Sequence, residues 1–156
     1  MTSVTNVITY GTFDLFHVGH VRLLQRLRSL GDRLIVGCST DEFNEIKGKK
    51  SVIRYNERAE ILSSCKYVDL VIPENTWEQK SSDIRKHEIR IFAMGDDWVG
   101  KFDHLSNETG CIVTYVSRTS NVSTTDIKGY LRKIDSDTIA SMKNKVDHLR
   151  AQLDKY

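Results

Sequence analysis

Thr9-Tyr10-Gly11-Thr12-Phe13-Asp14-Leu15-Phe16-His17-Val18-Gly19-His20 is the stretch around which this chain is organised. The apolar run Val7-Ile8-Thr9-Tyr10 reads as a buried strand, Gly11 breaks it, and helical periodicity sets in from about Gly19. Strand, glycine turn and helix make the opening unit of a doubly wound α/β domain. His17 and His20 stand three residues apart, hence on one helical face. They sit at the end of the helix where backbone N–H groups lack helical partners and the dipole is positive. Both imidazoles can therefore face one anionic ligand. A plain capped helix start with two polar histidines is the alternative, but it does not account for Gly11 and Gly19, which suit close backbone approach. A zinc-protease pair would be spaced i, i+4 with a glutamate between, and that pattern is absent.

Outward from this unit, Val21, Leu23, Leu24, Leu27 and Leu30 give the first helix an apolar stripe, with Gly31 as its expected C-cap. Leu34–Cys38, Val68–Ile72, Ile89–Met94 and Gly110–Val116 read as further strands, the third strand closed by Pro73. Asn56 is placed to cap a helix reaching about Cys65, and 82–87 looks helical. The pattern predicts an α/β fold: a Rossmann-like, doubly wound, mostly parallel five-stranded sheet covered on both faces. Ligands of such sheets bind at the carboxyl ends of the strands. The polar strings after Tyr10, Cys38, Met94 and Val116 all fall there, which points to one site.

Residues 1–132 are expected to form this domain, and 133–156 a C-terminal helical extension. There Ile139, Met142, Val146, Leu149 and Leu153 keep a helical stripe. That helix either packs on its own domain or builds a dimer. With 156 residues, 39% apolar and 28% charged, the chain has the composition of a globular protein with a real core. A net charge of +2 gives no case for nucleic acid or a membrane surface. Cys38, Cys65 and Cys111 form neither a metal spacing nor a disulfide framework, which suits a reducing cytoplasm. There is no signal-peptide pattern at the N-terminus and no apolar run long enough to span a bilayer.

The second chemistry-bearing string is Arg118-Thr119-Ser120-Asn121-Val122-Ser123-Thr124-Thr125. Ser123 with Asp126 resembles a capping box, and hydroxyls, an arginine and free N–H groups at a helix start make a phosphate site. Lys47, Lys49 and Lys50 read, on composition, as a solvated basic loop.

Gly11-Thr12-Phe13-Asp14 with His17-x-Gly19-His20 resembles the signature of the HxGH nucleotidylyltransferases, which join a nucleotide to a phosphorylated small molecule and release pyrophosphate. Arg118-Thr119 with Ser123-Thr124 resembles that family's second signature, with Asn121 standing where the family has glycine. Ser39–Asn44, Trp77-Glu78-Gln79-Lys80 and Met94–Trp98 narrow the resemblance, over about Val7–Leu131, to members that transfer CMP from CTP to glycerol 3-phosphate.

The resemblance implies that His17, His20, Lys49 and Arg118 are catalytic. It implies that Thr12, Phe13, Asp14, Gly19, Asp97, Thr119, Ser123 and Thr124 help bind the nucleotide. Lys47, Arg58, Lys66, Asp97 and Trp77 would meet the acceptor, Lys66 standing where relatives usually carry arginine. Mg²⁺ is expected with CTP, and Asp14 would either orient its loop or contact metal-bound water. A homodimer is expected, with no nucleic acid and no membrane insertion. Phosphocholine, phosphoethanolamine or another polyol phosphate are alternative acceptors. Trp77 and Trp98 with Asp96 and Asp97 would suit the cation of the first. A catalytically silent nucleotide-binding regulator is the alternative outside enzymes.

Overall fold

The computed structural model describes residues 4–119 and 122–153. In chain order the elements are β1 (Asn6–Gly11), α1 (Val18–Arg28), β2 (Arg33–Ser39), α2 (Asp41–Ile46), α3 (Tyr55–Ser63), β3 (Leu70–Glu74), α4 (Gln79–Lys86) and β4 (Ile89–Gly95). A 3₁₀ turn over Asp96–Trp98 follows, then α5 (His104–Thr109), β5 (Ile112–Val116) and α6 (Thr124–Leu153). The five strands form one sheet in the order β3-β2-β1-β4-β5, and every pairing is parallel. The chain travels outward from β1 to β3, then returns across β1 to continue through β4 and β5. The direction of winding thus reverses beside β1, and the crevice at its carboxyl end is the ligand position of such sheets.

Alternation along the strands builds both faces. Val7, Leu34, Val36 and Ala93 face the layer holding Leu24 and Leu27 of α1 and Leu62 of α3. Ile8, Tyr10, Ile35, Phe92 and Met94 face Ile84 of α4 and Leu105 of α5. Apolar runs rather than strict alternation mark these strands because both faces are buried.

Several local expectations are corrected. Helix α1 ends with Ser29 as its C-cap, not Gly31. Gly31 is needed for another reason: a Cβ there would meet the Thr5 carbonyl oxygen at 2.6 Å. The N-cap of α3 is Arg54, with no side-chain cap, and Asn56 lies inside the helix. Pro73 does not close β3 but sits within it, paired with Cys38. It is tolerated because β3 is an edge strand. Short α2 follows β2 directly, capped by the Thr40 side chain, which accepts from Phe43 N. Residues Met1–Asn121 and Val122–Tyr156 are two separate compact units. Within the second, α6 is an unbroken helix of 30 residues, about 45 Å long, and passes through 132 and 133 without interruption. No helix among the described residues is long and apolar enough to cross a membrane.

Candidate active site

The turn after β1 is held in an unusual backbone. Phe13 and Leu15 adopt φ of 52° and 50°, a left-handed conformation costly for bulky residues. The chain then enters α1 with His17 as the N-cap. Nδ1 of His17 accepts from Gly19 N at 3.1 Å, and Nδ1 of His20 accepts from His17 N at 3.3 Å. A ring nitrogen that accepts from N–H carries no proton, so each neutral imidazole bears its proton on Nε2. The rings stack with centroids 3.9 Å apart. Phe13 and Phe16 pack on His20 at 5.3 and 5.5 Å. Burial, with His17 beside it, lowers the His20 pKa to about 4 against a smaller opposing effect of Asp14. Burial lowers that of His17 as well. Both rings are therefore neutral donors at physiological pH, aimed from a helix N-terminus.

Asp14 ties the turn to the segment before α3. Its oxygens accept from Leu15 N, Val52 N and Ile53 N at 3.1, 2.8 and 2.9 Å. The carboxylate thus clamps the 52–53 segment to the turn. Among the described residues no group of three His, Cys, Asp or Glu side chains is arranged to hold a metal. Mg²⁺, if it takes part, would be carried by the triphosphate, and no step below runs through it.

Arg58 also departs from expectation. It is 1% exposed, and its guanidinium is used up inside the fold. It donates to the carbonyls of Ile53, Thr12 and Ser39 at 2.8, 2.7 and 2.8 Å, to Cys38 Sγ at 3.3 Å and to Asp41 Oδ1 at 2.7 Å. It cannot also hold an acceptor phosphate. It fixes the turn after β1 to the end of β2. Thr12 donates through Oγ1 to Asn44 Oδ1 at 2.9 Å, and Nδ2 of Asn44 is buried without a partner.

At the carboxyl ends of β2 and β3 lies a buried charge cluster. Glu74 Oε1 accepts from Lys80 Nζ at 2.7 Å, and Lys47 Nζ lies 3.6 Å from Glu74 Oε2. Lys47 also donates to Ser39 Oγ at 2.7 Å. Tyr10, Phe43, Trp77 and Phe102 surround the two ammonium groups. Gly37 makes this possible, since a Cβ there would meet the Tyr10 ring at 2.2 Å. The cluster carries two formal positive charges against one negative. Across the sheet, Arg118 pairs with Asp97 Oδ2 at 2.6 Å. Thr119 Oγ1 accepts from Arg26 of α1 at 3.2 Å. Lys49 Nζ stands 5.9 Å from the centre of the Trp98 ring.

A family model described as cytidylyltransferase-like matches residues 8–130. The chain belongs to the cytidylyltransferase-like family. A glycerol-3-phosphate cytidylyltransferase of Staphylococcus aureus is 55% identical over 122 residues, covering 78% of this chain and 91% of that protein. One from Bacillus spizizenii is 59% identical over 122 residues, with 78% and 93% covered. A solved structure of a lipopolysaccharide core biosynthesis protein from Thermoplasma volcanium is 26% identical. It superposes with a TM-score of 0.62, over 75% of this chain and 98% of that one.

On this cytidylyltransferase-like sheet the carboxyl edge gathers Thr12, Phe13, Asp14, His17, Gly19, His20, Lys47, Trp77, Asp97, Arg118 and Thr119 from the turns and segments after β1, β2, β3, β4 and β5. Lys66 is not among them. It precedes β3, so the length of that five-residue strand, roughly 17 Å, separates it from this edge. In the second unit Ser123 Oγ accepts from Asp126 N at 3.1 Å and donates to Asp126 Oδ2 at 2.7 Å, and Thr124 opens α6. The expectation at Asn121 lies outside the described residues. Glu74 lies outside every string of the sequence reading, and Asn44 and Lys80 stand in matched strings with no role assigned to them. Glu74 and Lys80 are single charges in polar surroundings, and only the fold makes them buried partners.

Proposed function

We propose that this chain transfers CMP from CTP to sn-glycerol 3-phosphate, giving CDP-glycerol and pyrophosphate. The observation that carries the transfer chemistry is the pair of stacked imidazoles with both Nε2 protons outside the helix cap. An oxygen of the acceptor phosphate forms the new bond to the α-phosphorus of CTP. The bond from that phosphorus to the bridging oxygen breaks, and pyrophosphate leaves with the electron pair. The acceptor oxygen is already anionic, so no general base is needed. His17 and His20 donate to the α-phosphate oxygens as charge gathers on them, with no proton changing hands. Lys49 and Arg118 supply positive charge for the departing pyrophosphate. Arg118 would exchange its exposed carboxylate partner Asp97 for phosphate oxygens.

The identity to two enzymes bearing the glycerol-3-phosphate name supports the acceptor. The excess positive charge around Lys47 and Lys80 favours an anionic substrate over a cationic one. The proposal includes Mg²⁺ delivered with CTP, a cytoplasmic location where CTP is available, and a homodimer. The test is pyrophosphate release by the purified chain with CTP and Mg²⁺, run against glycerol 3-phosphate, phosphocholine, phosphoethanolamine and ATP in place of CTP. Mass analysis should find CDP-glycerol as the dominant product. A dominant CDP-choline or CDP-ethanolamine product would overturn the acceptor, and no release with any acceptor would leave a silent nucleotide binder.

A further inference from the structure

Two arginines occupy the last turn of α1, Arg26 and Arg28, and they are used differently. Arg28 stays at the helix end, donating to the Gly31 carbonyl at 2.7 Å and pairing with Asp69 at 3.2 Å. It serves the ordinary purpose of a cation at a helix C-terminus. Arg26 turns instead to the segment after β5. Leu24 and Leu27 of α1 share a packed layer with Val116, the last residue of β5. Beside that layer Arg26 Nη2 donates to Thr119 Oγ1 at 3.2 Å. Nε of the same guanidinium is buried and has no partner among the described residues. A buried donor left unmet costs stability, so packing alone would be better served by an apolar side chain.

Chemistry fixes the direction of the bond to Thr119. A guanidinium has donors and no acceptor, so the hydroxyl oxygen accepts and its single proton is left for another partner. Thr12 at the same edge of the sheet is the opposite case, since it gives its proton to Asn44 Oδ1 at 2.9 Å. We infer that Arg26 is a positioning residue for nucleotide binding: it holds Thr119 Oγ1 as an acceptor and turns the hydroxyl proton toward a phosphate oxygen of the nucleotide. This rests on the transfer reaction proposed above. The guanidinium charge polarises the hydroxyl, so the O–H donates more strongly than it would alone. One positive charge thus acts on the phosphate through an intervening hydroxyl, without touching it. Because His17 caps the other end of α1, this one helix also sets the histidine turn and the segment after β5 in a common frame.

A double-mutant cycle on the full chain tests this, with CTP affinity in Mg²⁺ read by titration calorimetry. Thr119→Val keeps the shape of the side chain and removes the hydroxyl. Arg26→Met alone should weaken CTP about tenfold, the scale of one charge-assisted hydrogen bond. In the Thr119→Val background the same substitution should change the affinity by about twofold at most. In the Thr119→Ser background, which keeps a hydroxyl, it should again cost about tenfold. An arginine that only packs would cost the same in every background, and that result overturns the inference. So does an Arg26→Met that binds CTP as the wild type does. Should Arg26→Met fail to fold by circular dichroism, the uncharged and shorter Arg26→Gln takes its place in the same cycle, with the same outcomes. A wild type that binds CTP yet forms no product with any acceptor sinks the transfer reaction and leaves the cycle to decide this inference. A wild type that binds no CTP overturns both.

Discussion

Nδ1 of His17 closes the first turn of α1, and Nε2, on the opposite edge of the ring, carries the proton that the proposed reaction would offer to substrate. Replacement therefore has two separable effects. His17→Ala removes both, so kcat should fall by about 10²–10³, and stability by about 1 kcal/mol for the lost cap. Asn is a good N-cap, so His17→Asn should lose activity to the same extent while its urea midpoint stays near that of the wild type. Equal destabilisation of the two variants would rule out the capping role, and near-normal turnover in both would rule out the catalytic one. His20 differs in being held neutral by burial, with a pKa near 4 against 6.5 in the unfolded chain. The unfolded state then binds more protons between these values, so this contribution to stability is present above pH 6.5 and is lost as pH falls toward 4. Between pH 7 and 5 the ligand-free protein should lose about 1–2 kcal/mol through this residue. His20→Gln should flatten that slope in denaturation series at the two pH values, and an unchanged slope would contradict the assignment.

At the level of elements, the site depends on how the turn after β1, the end of β2 and α2 are tied to α3, and the tie is Arg58. Arg58→Met would leave the Thr12, Ser39 and Ile53 carbonyls without their donor. It should cost about 3–5 kcal/mol and weaken CTP binding together with it. A variant of normal stability with only the acceptor KM raised would restore the phosphate role implied by resemblance. This is where legibility in the sequence ends. The five strands were readable because both sheet faces are buried, which makes apolar runs such as Leu34–Cys38 conspicuous. The histidine turn was readable because glycines and histidines mark it. The fate of Arg58 was not, since an arginine on a helix looks alike whether it meets solvent, substrate or five acceptors beneath it. Pro73 misled because only the strand order reveals that β3 is an edge. Helix α2 was missed because six residues carry too little periodicity to stand out. Lys66 stands where relatives usually carry arginine, and a position in a motif carries no information about which edge of the sheet it occupies.

For the whole molecule, α6 poses the remaining question. Ile139, Met142, Val146 and Leu149 are spaced three, four and three residues apart, the a/d rhythm of a coiled-coil seam, and Leu153 continues it in sequence. Their exposures run from 47% to 66%. A stripe this narrow suits a partner helix better than a broad sheet face, which would call for apolar residues over a wider arc. Two heptads are short for an independent coiled coil, so the seam would add to a dimer built mainly by the α/β domain rather than create one. Truncation after Arg132 removes the seam and keeps the first turns of α6. The shortened chain should bind CTP as the full chain does, while sedimentation should place its dimer dissociation at a higher concentration. Replacing Met142 and Leu149 together by lysine in the full chain should reproduce that shift without shortening anything, because like charges would then face each other across the seam. A full chain that sediments as a monomer at working concentrations would exclude the dimer altogether, and a truncated chain with unchanged association would assign it to the α/β domain alone.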